Sequence, residues 1–313
     1  MKKEVRAFAP ASVTNVGCGF DVLGFALEKP GDEVVVRLQN SKDIIIKKIS
    51  GDEGRLSKDI ERNTAGIAVK SFLNETGFEK GIEIELHKKM AFGTGLGSSA
   101  ASAVAAVVAL DHLLQTKLSK RELLKFALEG EKLTSGGKYH ADNVAASLYG
   151  GLVIVRYGDD PDVVNIDYPE DLHCTIVYPH IIMNTSDMRK LLKKEITLSD
   201  AVKQWGNIAS LVAGFIKKDY DLISKSINDF IVEPVRSLLI PSFYEMKKAA
   251  FDAGSIGCSI SGSGPSLFAL SRSKTKAKKI ANEMKKVLDE IEIEYDIYIS
   301  QINRKGPKIL STR

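Results

Sequence analysis

The chain has 313 residues, 44% of them hydrophobic and 27% charged, and a formal net charge of +4. These are the proportions of a soluble globular protein with room for two domains, and the slight positive excess, spread as lysines among glutamates, gives no footing for nucleic acid. Cys18, Cys174 and Cys258 lie far apart without a Cys-x-x-Cys pair, which argues against structural zinc and for a reducing compartment. The basic start over residues 1–6 is followed by no apolar signal core, and the longest apolar run, 100–110, is too short to span a bilayer, so the expectation is a cytoplasmic protein with no membrane contact.

In chain order, residues 33–38 and 43–49 read as paired strands with turn residues Gln39, Asn40 and Ser41 between them. Residues 63–75 read as a helix, with Ala65, Ile67 or Ala68, Phe72 and Leu73 at helical spacing and Gly77 past the end. A strand follows at 82–87, then helices at 100–114 and 119–131 and short strands at 150–157 and 174–178. Turn chemistry at 158–161 and 167–170 places a domain boundary near residue 169, giving domains 1–168 and 169–313. Helices are expected at 187–193, 199–217, 220–229, 242–253 and 274–290, and a strand at 291–301. Helices mixed with largely antiparallel strands make an α+β protein.

Between Phe92 and Ser102 the chain reads Phe-Gly-Thr-Gly-Leu-Gly-Ser-Ser-Ala-Ala-Ser. Gly93, Gly95 and Gly97 let the backbone turn tightly and approach a ligand, and Ser98 and Ser99 stand where the N-cap of the following helix belongs. Unpaired N–H groups and the positive end of the helix dipole then face one spot, which is an anion site, most commonly for a nucleotide phosphate. No lysine follows the glycines, so a Walker A loop is excluded. Gly95 to Ala100 fits the dinucleotide fingerprint, but the required second strand with its acidic end is missing after the helix. A glycine turn with two capping serines before a buried helix is the plain structural alternative.

The segment Gly-x-Gly-Leu-Gly-Ser-Ser-Ala resembles the phosphate loop of the GHMP small-molecule kinases. Two further segments resemble the same superfamily in the same order: residues 9–24, Ala-Pro-Ala-Ser-Val-Thr-Asn-Val-Gly-Cys-Gly-Phe-Asp-Val-Leu-Gly, and residues 257–270, which contain Ser261-Gly262-Ser263-Gly264. Within it, Asn-x-Gly-x-Gly-Phe-Asp (Asn15 to Asp21) and His140-Ala141-Asp142-Asn143 resemble the homoserine kinase branch, and the lysine that mevalonate kinases tend to carry after the first Ala-Pro is missing. The resemblance runs from Ala7 to Leu270. It implies a ribosomal-protein-S5-like first domain, a ferredoxin-like second domain, and an active site in the cleft between them.

The resemblance further implies ATP and Mg²⁺ as cofactors, L-homoserine as the phosphoryl acceptor in threonine biosynthesis, and a homodimer. It assigns the nucleotide to Asn63, Gly93, Thr94, Gly95, Leu96, Gly97, Ser98, Ser99, Ala100 and Ser263, with Asn63 at the adenine. The metal falls to Ser99 and Glu131, with Ser98 and Glu129 as alternatives. Homoserine is a zwitterion, whose carboxylate calls for guanidinium and whose ammonium calls for a carboxylate. Thr185-x-x-x-Arg189 and Glu233-Pro-x-Arg236 resemble family motifs and offer Arg189 and Arg236 for the carboxylate, while Asp21 or Asp142 takes the ammonium. Asn15, His140, Asn143, Thr185 and Gly262 complete the substrate set, and Asn15, Asp142, Asn143 and Arg189 form the reacting centre.

Asn143 stands near the place where mevalonate-kinase-like relatives carry an aspartate proposed as base. Attack without a dedicated base is therefore expected, the proton passing to phosphate; Asp142 is the alternative base. Two departures, Met90-Ala91 and Ala145-Ala146 where prolines are usual, touch backbone stiffness rather than ligands. Cys18 is read as a small buried thiol, not a nucleophile. Competing functions are a kinase for another small alcohol such as mevalonate or shikimate, and a non-catalytic ligand sensor of the same fold.

Overall fold

The computed structural model describes every residue except 1, 135–139, 159, 182 and 184, together with the side chains of Thr185 and Ser186. Strands β1 (Glu4–Asn15) and β2 (Gly19–Leu38) form a long antiparallel pair that opens the chain. The register slips between Pro10 and Ser12, so β2 bends. Its first half pairs with β5 (Leu152–Arg156), itself paired with β6 (Asp162–Ile166). Its second half pairs with β4 (Ile82–His87), which carries the parallel edge strand β3 (Ile44–Ser50).

The expected pairing of 33–38 with 43–49 is therefore corrected: β4 lies between them. The reason is the helix α1 (Thr64–Thr76), a crossover that makes β3 and β4 parallel neighbours and lays its own apolar face on the sheet. Ile82, Ile84 and Leu86 are buried and suit a central strand, whereas Ile45, Lys47 and Lys48 are exposed and suit an edge. Asn63 caps α1 by accepting from the N–H groups of Ala65 (3.1 Å) and Gly66 (3.4 Å), and Gly77 ends it at φ +65°.

Helix α2 (Ser98–Leu114) is alanine-rich and buried on almost every side, so it forms the centre of the first domain. Around it pack α1, α3 (Lys120–Glu131), started by a Ser119–Glu122 capping box, and α4 (Ala141–Tyr149). Phe72 of α1 meets Phe126 of α3 with ring centres 5.0 Å apart. Full burial of such a side chain is worth about 1.5–3 kcal/mol.

The second sheet has the order β10-β7-β9-β8, from β7 (His173–Pro179), β8 (Gly257–Ile260), β9 (Leu267–Ser271) and β10 (Tyr295–Gln301). The predicted strand 291–301 starts later, because residues 291–294 are still turning out of the preceding helix. Between β7 and β8 lie α5 (Thr185–Lys190), α6 (Leu198–Lys217), α7 (Tyr220–Ser226), α8 (Glu233–Arg236) and α9 (Phe243–Asp252). Helix α10 (Lys274–Glu290), with α9, packs a methionine- and leucine-containing cluster under this sheet. The opposite face joins the first domain's core, where Phe268 meets Phe25 edge-on at 6.2 Å. The chain then crosses back: Ile302 bridges Leu27, and β11 (Lys308–Thr312) pairs with β1. Residue 169 lies between β6 and β7, which belong to different sheets, while β11 rejoins the first.

Candidate active site

A cleft of about 640 Å³ runs between the two sheets and is lined by the loop after β4, the loop between β1 and β2, the start of α4 and the turn between β8 and β9. The loop after β4 has Gly93, Gly95 and Gly97 at φ +72°, +75° and +68°. A Cβ at Gly95 would stand 2.4 Å from the Ser261 carbonyl oxygen, and one at Gly97 would stand 2.2 Å from Ser12 Oγ. Glycine is thus required both for the backbone shape and for close packing. The β8–β9 turn closes onto this loop, where Ser261 Oγ donates to the Gly95 carbonyl at 2.8 Å, and onto the end of β1, where the Gly262 N–H donates to the Thr14 carbonyl at 3.2 Å.

One expectation at this loop is corrected. The N-cap of α2 is Gly97, and no side chain caps the helix. Ser98 and Ser99 occupy its first turn and send their hydroxyls elsewhere, Ser98 Oγ to Asp32 Oδ2 (2.8 Å) and Ser99 Oγ to Glu131 Oε2 (3.0 Å). The helix start is left open to an anion. Asp32 is fully buried and also accepts from Lys88 Nζ, Ser102 Oγ (3.2 Å) and the Lys89 N–H (2.8 Å). Lys88 Nζ reaches the Ser98 carbonyl (3.0 Å) and Ser102 Oγ (2.7 Å) as well. A buried ion pair therefore anchors the first turn of α2 from behind.

Ser99 and Glu131 bring a hydroxyl and a carboxylate oxygen to one point on the cleft wall, the hard oxygen donors that Mg²⁺ accepts in small number. Glu129 instead pairs with Lys132 at 2.6 Å. Among the described residues no three His, Cys, Asp or Glu side chains converge to hold an ion alone.

In and beside the loop between β1 and β2, Asn15, Val16 and Asp21 stand at φ +69°, +41° and +60°, a concentration of unfavourable backbone that surrounding contacts must hold. Asn15 does part of this, accepting from the Asp21 N–H (3.1 Å) and donating to the Gly262 carbonyl (2.7 Å). Asp21 takes a two-point pair from Arg189 (3.0 and 2.8 Å), with His140 Nδ1 3.4 Å away. Burial alone would raise the Asp21 carboxyl, but His140 and Arg189 outweigh it and hold the group down to about 2.

Arg236, only 2% exposed, donates to the Gly262 carbonyl at 2.8 Å and has no carboxylate partner among the described residues. Burial first, and the nearby charge of Arg189 second, lower its guanidinium to about 10. Both guanidinium groups lie against the Phe20 ring, at 5.1 Å for Arg189 and 5.3 Å for Arg236. Asp142, in the first turn of α4, is buried and pushed up to about 6 by that burial and by the charge of Asp21. Asn143 beside it accepts from Ser12 Oγ at 2.8 Å. Five of the eight buried side-chain atoms without a hydrogen-bond partner, among the described residues, line this cleft: Thr14 Oγ1, His140 Nε2, Asp142 Oδ1, Arg189 Nε and Arg236 Nε. Buried polar groups are rarely left unpaired, and these five set unused donors and acceptors on the wall of one cleft.

The cleft thus gathers the predicted residues from both ends of the chain, Gly93–Ser99, Glu131 and Ser263 included, with two exceptions. Ala100 is buried beneath the loop, and the Thr185 side chain lies outside the described residues. Asn63 lines the cleft with its side chain engaged, its Nδ2 donating to the Ser57 carbonyl at 2.9 Å while its Oδ1 caps α1. Sequence reasoning missed Phe20, although it sits inside the first motif, and missed Lys88 and Asp32. Those two are 56 residues apart and meet only through the Glu33–His87 register of β2 and β4.

The sequence matches the family models described as GHMP kinases N terminal domain, over residues 63–151, and GHMP kinases C terminal, over residues 211–290. It is 47% identical to a homoserine kinase of Chloroherpeton thalassium, over 98% of this chain and all of that one. The fold is similar to the crystal structure of homoserine kinase from Cytophaga hutchinsonii, with a TM-score of 0.96, 55% identity, and 99% and 98% of the two chains covered. L. major mevalonate kinase shares the fold alone, at 17% identity and a TM-score of 0.71, over 96% of this chain and 98% of that one.

Proposed function

The chain belongs to the homoserine kinase family of the GHMP kinases, and from that premise we propose that it transfers the γ-phosphate of ATP to the side-chain hydroxyl of L-homoserine, giving O-phospho-L-homoserine and ADP in threonine biosynthesis. The observation that carries the acceptor's identity is the placing of opposite charges in one cleft, Asp142, with Oδ1 unpartnered, on one side and Arg236, which has no carboxylate partner among the described residues, on the other. A small zwitterion satisfies both. Mevalonate or shikimate, which lack an amine, would leave Asp142 uncompensated, and buried unpaired charge is costly.

In this reading the open start of α2 and the glycines before it receive the phosphates, with Ser263 facing them from the β8–β9 turn and Asn63 towards the adenine end. Ser99 and Glu131 fit Mg²⁺, which when bound neutralises charge on the phosphate oxygens. Arg236 and Arg189 receive the acceptor's carboxylate, and Asp142 or Asp21 its ammonium. Asn15, His140 and Thr185 help to orient it. Asn143 cannot take a proton, so in this reading the hydroxyl attacks the γ-phosphorus without a dedicated base as the bond to ADP breaks, and its proton passes to an oxygen of the transferred phosphoryl group. We also propose that the enzyme works in the cytoplasm as a homodimer, without membrane or nucleic-acid partners. Among the described residues no helix is long and apolar enough to cross a membrane, and Leu198, Val202 and Trp205 of α6 are more than half exposed.

ADP release with MgATP and a panel of L-homoserine, L-threonine, mevalonate and shikimate tests the assignment. Turnover of homoserine alone, or far above the rest, is expected. Turnover of mevalonate without homoserine would overturn it, and no turnover of any alcohol would favour the sensor.

A further inference from the structure

Helix α6 is charged or exposed along much of its length, yet it carries one buried amide. Gln204 is 5% exposed. Its Nε2 donates to the Cys18 carbonyl (2.8 Å) and to Asp229 Oδ1 (2.9 Å), and its Oε1 accepts from the Phe230 N–H (3.0 Å). Both N–H bonds of the amide and its oxygen are used, and the partners fix which way it points.

The two ends it joins are the two halves of the acceptor site. Cys18 ends the strained loop between β1 and β2, directly before the start of β2 that carries Phe20 and Asp21. Asp229 organises the turn into α8: Oδ1 accepts from the N–H groups of Ile231 (2.9 Å) and Val232 (3.0 Å), and Oδ2 from that of Glu233 (2.8 Å). Arg236 follows on the same short helix. Loop and turn are also in direct contact, since Cys18 Sγ donates to the Ser226 carbonyl at 3.2 Å and a Cβ at Gly17 would stand 1.8 Å from the Ile227 carbonyl oxygen. Packing and the Cys18 thiol hold the two segments together, and the Gln204 amide adds bonds to both.

We propose that Gln204 is a positioning residue that sets the distance between the start of β2 with Phe20 and Asp21 and the helix of Arg236, and so holds the acceptor's charged ends in register. The proposal rests on the reading that this cleft binds an amino-acid alcohol. Gln204 touches no reacting atom. It acts because a carbonyl, a carboxylate and an N–H would lose a common partner without it, and a loop held at positive φ relaxes when its holding contacts go.

The test uses the full chain with two variants. Gln204→Met keeps the volume and removes all three bonds. Gln204→Glu keeps the acceptor for Phe230 but, when ionised, donates to neither Cys18 nor Asp229. With homoserine and ATP varied independently, both variants are expected to raise KM for homoserine by about tenfold or more, the scale of one lost buried polar contact. KM for ATP, bound at the separate glycine loop, should stay within about twofold of the parent. A purely structural role would lower kcat through a smaller active fraction with both KM values unchanged, or raise both alike, and either result overturns the proposal. If Gln204→Met does not fold, the same split in Gln204→Glu decides; if neither folds, Gln204 serves the fold and the proposal fails. A parent enzyme that turns over another amino alcohol but not homoserine sinks the substrate reading alone, and the split is then read on that alcohol.

Discussion

Asp21 and Asp142 are two carboxyl groups in one cleft that their surroundings drive apart, the first held down to about 2 by His140 and Arg189 against its burial, the second pushed up to about 6 by burial and by Asp21. A substrate ammonium binds the ionised form, so kcat/KM for homoserine is expected to fall as pH drops below about 6, while Asp142→Asn should flatten that limb and lower kcat/KM throughout. Stability should move the opposite way. A carboxyl whose folded value is raised favours folding fully below its ordinary value near 3.8, and that contribution is lost as pH rises through about 6. At pH 7.5 the buried charge is a cost, and Asp142→Asn is expected to raise Tm by a few degrees there and not at pH 4, as calorimetry would show. Arg236→Lys keeps a charge but loses the planar fork, and should raise KM for homoserine by about ten- to a hundredfold with KM for ATP unchanged. These residues were legible because each stood inside a motif. Gln204 and Asp229 were not, since a buried amide on an exposed helix looks like any surface glutamine until its partners are placed around it.

At the scale of elements, helices with chemical punctuation were read within a residue or two. Asn63 and Gly77 bracket α1, and the expected 274–290 is α10 as observed. The first thirty residues escaped because β1 has Ala7, Ala9 and Ala11 with Pro10 where a strand signal needs branched or aromatic side chains, and because most of that strand is buried on both faces, which erases alternation. The capping serines were misassigned for a related reason: their hydroxyl partners, Asp32 and Glu131, come from elements distant in sequence. The Lys88–Asp32 pair behind α2 gives an element-scale test. Lys88→Met leaves a fully buried carboxylate without its counter-charge and is expected to cost about 3–5 kcal/mol in urea unfolding, with the surviving folded protein weakened for ATP rather than for homoserine.

At the scale of the molecule, the two sheets share one core through Phe25 and Phe268, and the glycine turns at 93–97 and 261–264 meet at the cleft floor. The candidate active site is therefore a property of the seam between sheets, and no single stretch of sequence contains it. The last strand reinforces the first sheet, β11 covering the edge of β1 from Val5 to Phe8. Deleting residues 307–313 bares that edge and is expected to lower Tm and promote aggregation at high concentration, followed by light scattering during a thermal ramp. One further consequence lies on α6. Trp205 is the chain's single tryptophan, 58% exposed and one residue beyond Gln204. An indole in water emits at long wavelength and is quenched by iodide, whereas one covered by a second subunit emits further to the blue and is shielded. Serial dilution should therefore redden the emission if two copies pair over this helix and leave it unchanged if they do not, so the protein carries a built-in optical gauge of its own assembly.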